Sequence, residues 1–138
     1  MPRTVATPPA DLAPAGLQVD VATIAHYARL TDDYNPIHVD PDFAATTPMG
    51  GVIAHGMLSM NLIWQALAAS LGPAGCEGVT LEIRFTRPVR PGDTVTAGGR
   101  RIAGATPPAY EVWVTDQTGT PVIAGTAQLA ADSLAGPP

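Results

Sequence analysis

Between Val21 and Leu30 apolar residues return every three or four positions, at Val21, Ile24, Ala25 and Ala28, the period of a helix that buries one face. Asp20 stands directly before this run, where a short acceptor side chain takes up the free amides of a first turn, so the spacing predicts a helix over 21–30 with Asp20 as its N-cap. Pro36 has no backbone N–H and drives Asn35 out of the α region. The helix is therefore expected to end near Thr31 or Asp32, and residues 33–38 read as loop. Pro41 suits the first turn of a short helix through Ala45, and Met49-Gly50-Gly51 reads as a flexible link.

The stretch from Gly51 to Leu71 is apolar on almost every side, and the helix it predicts starts at His55 or Gly56 and stops at Gly72-Pro73. That is about sixteen residues, or roughly 24 Å. An all-round apolar helix has to be enclosed. The rest of the chain supplies the enclosure as four strand-like runs, at about Gly78–Phe85, Thr94–Ile102, Tyr110–Thr115 and Val122–Leu129. The runs are separated by turn signals at residues 90–93, 104–108 and 116–121, each short enough to join antiparallel neighbours. Leu81 to Phe85 alternates apolar with charged, so one face of that strand, with Leu81, Ile83 and Phe85, looks inward and the other carries Glu82 and Arg84. Helices followed by strands make an α+β fold, an antiparallel sheet curled around one long helix. The expected layout is one domain over residues 16–131, with a Pro- and Ala-rich flexible segment over 1–15 and a flexible tail over 132–138.

The 138 residues include 7 Lys or Arg and 12 Asp or Glu, for a net charge of -5, and only 5% are aromatic. That balance excludes a phosphate-backbone binder, so nucleic acid is not an expected partner. The apolar stretch approaches membrane-spanning length, but His55, Ser59, Asn61 and Gln65 are spread along it, which argues for a buried helix and no membrane partner. Cys76 is the single cysteine and the first residues hold no apolar run of secretory length, so a cytoplasmic protein is expected.

The densest functional cluster is Asp32-Asp33-Tyr34-Asn35-Pro36-Ile37-His38. A carboxylate and an imidazole five residues apart in a proline-stiffened turn can face one site and move protons to and from a water, although Asp and Asn also build turns on their own account. His55-Gly56 marks the start of the buried helix, where glycine admits a ligand close to the backbone and unpaired amides favour developing negative charge, or where glycine merely suits a capping turn.

These residues, taken together, resemble the MaoC-like (R)-specific enoyl-CoA hydratases and 3-hydroxyacyl-thioester dehydratases, which have the hotdog fold. The likeness runs in order through Asp33, Asn35, Pro36, His38 and Asp40, then Pro41 and Phe43-Ala44-Ala45-Thr46-Thr47. It continues through Ile53-Ala54-His55-Gly56-Met57-Leu58, Phe85, Pro88-Val89 and Gly92-Asp93, covering about residues 21–95. It implies reversible addition of water across the 2,3 double bond of an acyl thioester of coenzyme A or acyl carrier protein. In that reading Asp33 and His38 hold and exchange protons with the water, and the Gly56 amide binds the thioester oxygen. No cofactor and no metal are implied, and a homodimer is, which would also cover the sheet's open edges.

Asn35 is assigned to the turn or to the Asp33 carboxylate, His55 to shaping the start of the helix, and His26 to a structural or solvated role. Arg84, Arg87 and Arg90 could reach coenzyme A phosphates or lie in solvent. Two positions depart from the family pattern. Asp32 stands where a small residue, often Gly, precedes the catalytic Asp. Trp64 stands where relatives carry a small residue, either in the acyl pocket or in ordinary core. The competing functions are a non-catalytic hotdog partner subunit of a heteromeric dehydratase and a hotdog thioesterase.

Overall fold

The computed structural model describes residues 7–131. It holds a strand β1 (Ala15–Gln18) and four helices, α1 (Val21–Thr31), α2 (Pro36–Val39), α3 (Pro41–Ala45) and α4 (Gly56–Cys76). Four more strands follow, β2 (Thr80–Phe85), β3 (Thr94–Arg101), β4 (Ala109–Thr115) and β5 (Pro121–Gln128). The five strands make one antiparallel sheet in the order β1-β3-β4-β5-β2. The sheet wraps α4, whose Met60, Leu62, Ile63, Ala66 and Leu67 are buried with Val95, Ala97, Val112, Val114, Ile123 and Ala127 of the strands. Among the described residues no helix is long and apolar enough to cross a membrane.

Helix α4 ends where its sequence says it should. Helical geometry breaks at Gly72, which takes φ 73° and ψ 171°, and a last short turn continues from Pro73 to Cys76. Glycine reaches that φ at no steric cost, and Pro73 cannot continue the ladder from the preceding turn.

Four expectations need correcting. Residues 33–38 are not all loop, because Pro36 opens the one-turn helix α2 with Asn35 as its cap; Pro at a first helical position loses nothing, since that amide has no partner in a helix. The strands are not a four-strand meander. Only β3, β4 and β5 follow one another, while β2 crosses to the far edge and pairs with β5. The connection from Thr86 to Asp93 is thereby freed from a hairpin and runs across the mouth of α4, held by Thr86 N–H to Val122 O at 2.9 Å and by Ala54 N–H to Val89 O at 2.7 Å. The short edge strand β1 was not expected, because four residues of Ala-Gly-Leu-Gln carry almost no strand signal. Finally, residues 8–12 are not loose. Leu12 is buried, its N–H donates to Gly99 O at 2.9 Å, and Tyr110 Oη–H donates to Pro9 O. A single apolar side chain and one buried phenol anchor a stretch whose composition reads as tail. The remainder of the expected flexible ends, residues 1–6 and 132–138, lies outside the described residues.

Candidate active site

The site begins with how α1 stops. Asp32 takes the left-handed conformation at φ 55°, and the N–H groups of both Asp32 and Asp33 turn back to Ala28 O. This reversal throws the chain out at Asp33, whose carboxylate accepts the N–H of Asn35 at 3.2 Å. Asn35 in turn caps α2 by accepting the N–H of Ile37 on Oδ1 at 3.2 Å. Its side chain therefore serves the turn, and its main chain serves Asp33. One helical turn on, His38 is half-buried and its Nδ1–H donates to Ile53 O at 2.7 Å.

A carbonyl can only accept, so the proton of neutral His38 sits on Nδ1 and the lone pair on Nε2. The ring is presented as a base. His55 obeys the same logic with its nitrogens exchanged: Nε2–H donates to the Asp33 carbonyl at 2.9 Å, which leaves Nδ1 as the acceptor. The His55 ring is 3% exposed and stacks on His38 with centroids 3.9 Å apart, while the Tyr27 ring meets it edge-on at 5.0 Å. Helix α1, through Tyr27, thus braces the histidine that braces Asp33. His55 ties the main chain of the acid to the start of α4, a larger part than shaping the helix start. One ligand atom from each of Asp33, His38 and His55 lies within 4.8 Å of the others. The three are metal-ligating types, and a second ring nitrogen bonded to a carbonyl is common in metal sites; the same spacing also leaves room for a water between an imidazole lone pair and a carboxylate.

Facing this cluster is the first turn of α4. Its cap position is His55, which makes no side-chain hydrogen bond to the helix, so the amides of the first turn are not satisfied by a cap. Gly56 is exposed, and a Cβ built on it would lie 2.7 Å from the Phe85 ring. A side chain there would crowd the Phe85 ring beside the first turn of α4. His38, His55, Gly56 and Ser59 line a cavity of about 470 Å³, whose other walls are mainly apolar and include Ile53, Val89 and Ile123. The crossing connection supplies one wall through residues 86–89, which is the functional result of β2 leaving the meander.

The other expected residues divide. Arg87 lines the cavity. Arg90 stands beside it, its guanidinium donating to Met49 O. Arg84 lies with Glu111 and Trp113 along a separate groove of the sheet and is not brought to the site, because strand alternation turns it away from Ile83 and the core. Trp64 is half-buried against the core and does not line this cavity. His26 is exposed, with Arg29 Nη2 at 3.4 Å from its Nδ1. Ser59 was missed. It reads as one polar interruption in an apolar helix, and only the spacing of three from Gly56 could have flagged it.

One antiparallel sheet curled around one helix, with a polar turn set against that helix's open N-terminus, defines a hotdog-fold protein. Residues 4–102 match the family described as MaoC like domain, and the chain belongs to this family. It is 42% identical over 76 residues to an (R)-specific enoyl-CoA hydratase of Aeromonas caviae, covering 55% of this chain and 57% of the relative. A second (R)-specific enoyl-CoA hydratase, from Rhodospirillum rubrum, is 46% identical over 71 residues, covering 51% of this chain and 49% of that one. The chain thus spans about half the length of these relatives. A solved structure of an (R)-hydratase from A. caviae involved in PHA biosynthesis superposes with a TM-score of 0.74 at 29% identity, over 90% of this chain and 96% of the other.

Proposed function

We propose that the chain is a hydro-lyase that adds water reversibly across the 2,3 double bond of a 2-enoyl thioester to give the (R)-3-hydroxyacyl thioester. The observation that carries this reading is the opposition of a pre-set imidazole lone pair, on the wall of one mainly apolar cavity, to an uncapped helix amide, with the Asp33 carboxylate beside that imidazole in an adjoining recess that His38 and Gly56 also line. Asp33 and His38 hold one water. As its oxygen bonds to C3, the pair takes one of its protons and a proton is returned to C2. Between these events negative charge sits on the thioester oxygen, and the Gly56 N–H at the helix terminus is placed to stabilise it. His55 keeps the Asp33 main chain in register, and every step is assigned to side chains and an amide, so no cofactor is needed. The related (R)-specific enoyl-CoA hydratases support the same reading, with coenzyme A as the carrier; acyl carrier protein is the second carrier to test.

The working form is proposed to be a homodimer. Strands β1 and β2 are the sheet's edges, and Tyr34, Val39, Phe43, Met57 and Phe85 are all exposed apolar side chains. A second copy would cover edges and apolar surface together. The deciding experiment follows crotonyl-CoA with the purified protein by loss of enoyl absorbance alongside free thiol release. Absorbance loss without thiol supports the hydro-lyase. Thiol release would make the chain a thioesterase, and neither change would make it a non-catalytic partner subunit. Light scattering at micromolar concentration tests the dimer, which an active monomer would overturn.

A further inference from the structure

We propose that Ser59 and His55 form a second polar subsite inside the cavity, which takes a hydroxyl carried on the fourth carbon of the acyl chain; the inference rests on the hydro-lyase reading and specifies its substrate class. Ser59 Oγ and His55 Nδ1 are the buried side-chain polar atoms, among the described residues, that find no hydrogen-bond partner. Their residues are 2% and 3% exposed, and both line the cavity. A buried polar atom without a partner is a cost that folded chains avoid, so two of them on one cavity wall point to something that enters the cavity.

The chemistry of the visitor follows from the two atoms. A serine in a helix commonly discharges its hydroxyl onto the carbonyl one turn back. Ser59 does not, and that carbonyl, His55 O, accepts the Leu58 N–H at 3.1 Å. The Ser59 hydroxyl is therefore free to donate. His55 Nδ1 can only accept, because its Nε2 holds the ring proton against the Asp33 carbonyl. The visitor therefore has to donate to His55 Nδ1, and the Ser59 hydroxyl can meet it as donor or acceptor. A hydroxyl pairs with both and also uses the free Ser59 proton, whereas a carbonyl has no proton to give Nδ1.

The position along the acyl chain follows from the helix. Ser59 is three residues beyond Gly56, a rise of about 4.5 Å, on the same side of α4 and with its side chain leaning back toward the N-terminus. With C–C bonds of about 1.5 Å, the fourth carbon of an extended acyl chain lies roughly 4 Å from the thioester carbon. His55 stacks on His38, the ring assigned to the third carbon, and so stands within one ring's thickness of that position. The rest of the cavity, with Ile53, Val89 and Ile123, offers that chain apolar contact.

Saturated analogues read the subsite without turnover. In the full chain, 4-hydroxybutyryl-CoA is expected to bind about tenfold more tightly than butyryl-CoA by calorimetry. Ser59→Ala should bring the ratio to within about twofold of one, and Ser59→Thr should keep it. If Ser59→Ala fails to fold, Ser59→Cys, nearly the same shape with a weak donor, should lower the ratio at least threefold. A wild-type ratio near one, which a bound water alone would give, overturns the subsite, as does the same ratio in wild type and Ser59→Ala. Crotonyl-CoA hydration is measured beside these. Its absence together with a tenfold ratio would remove the hydro-lyase reading and leave the subsite standing, and its presence with a ratio near one would do the reverse.

Discussion

Helices α1 and α4 begin in opposite ways. At α1 the Asp20 side chain folds back onto the first turn, accepting the Thr23 N–H at 2.7 Å and the Thr23 hydroxyl at 2.8 Å. At α4 the cap position is His55, which gives its side chain to Asp33 and leaves the first turn without a cap. An aspartate side chain thus closes a first-turn amide in one case, while in the other no side chain caps the first turn. The difference locates function by its local cost: a chain that can cap a helix with one aspartate has left uncapped the terminus that opens into its cavity.

The comparison breaks most severely at the groups facing the open terminus. Asp33→Asn and His38→Gln are each expected to lower kcat for crotonyl-CoA by about 10² to 10⁴ while the protein stays folded, because neither side chain belongs to the core. Near-wild-type turnover by either folded variant would show that the amides of α4 face something other than an acid–base pair.

Gly56→Ala sharpens the contrast without removing any polar group. Alanine favours the helix by up to about 1 kcal/mol over glycine, so the variant should be no less stable by urea titration. Its methyl group would lie 2.7 Å from the Phe85 ring, beside the amide proposed to bind the thioester oxygen. Phe85 is 57% exposed and can swing aside, so crowding falls on the substrate and not on the fold. A loss of at least tenfold in kcat/KM with unchanged stability is expected. Equal loss of both would make Gly56 a packing residue.

The closed terminus gives the complementary result. Asp20→Ala should lower Tm by a few degrees and leave kcat for crotonyl-CoA unchanged at 25 °C. The sign of its pH dependence is fixed by the hydrogen bonds. The Thr23 amide first, and then its hydroxyl, hold the Asp20 carboxyl below its ordinary value of 3.8. A lowered native value means the cap contributes fully above the unfolded value and is lost as the pH falls through the native one. The Tm difference between wild type and Asp20→Ala should therefore be full at pH 7 and shrink below about pH 4. A difference that grew on acidification would mean the carboxylate is not the cap.

What the sequence made legible follows the same division between local and long-range causes. Asp20, the end of α1, Pro41, the break at Gly72 and the bounds of β2 to β5 are written in neighbouring residues, and each is found within two or three positions. The crossing of β2 to β5 is not local. Nothing in residues 86–93 distinguishes a hairpin from a crossing, since the choice depends on burying α4 from both sides. The site divides likewise. Asp33, His38 and Gly56 come from motifs in which order and spacing matter, and the geometry brings His38 and Gly56 to one cavity. The double role of His55 depends on a contact across 22 positions with the Asp33 main chain, a partner invisible to a motif of side chains. Trp64 was ambiguous because a tryptophan on a buried helix is equally suited to lining a pocket and to filling a core.

The smallest expected effect is at Asp32, where the departure from the family pattern now has a physical account. The residue sits at φ 55°, so a glycine preference there answers a backbone requirement and not a catalytic one. Aspartate tolerates the left-handed region better than most residues but less well than glycine. Asp32→Gly should stabilise the protein by between a few tenths and about 1 kcal/mol in urea titration, since the relief of strain exceeds the greater freedom glycine has in the unfolded chain. Asp32→Ala keeps the strain without the local hydrogen bonding of a short polar side chain, and should destabilise by a similar amount. Turnover should change by less than about threefold in both, because the Asp33 main chain stays tied to Ala28 and His55. If Asp32→Gly instead lost activity as Asp33→Asn does, the carboxylate at 32 would belong to the proton-handling group, and the end of α1 would be as much a part of the chemistry as the start of α4.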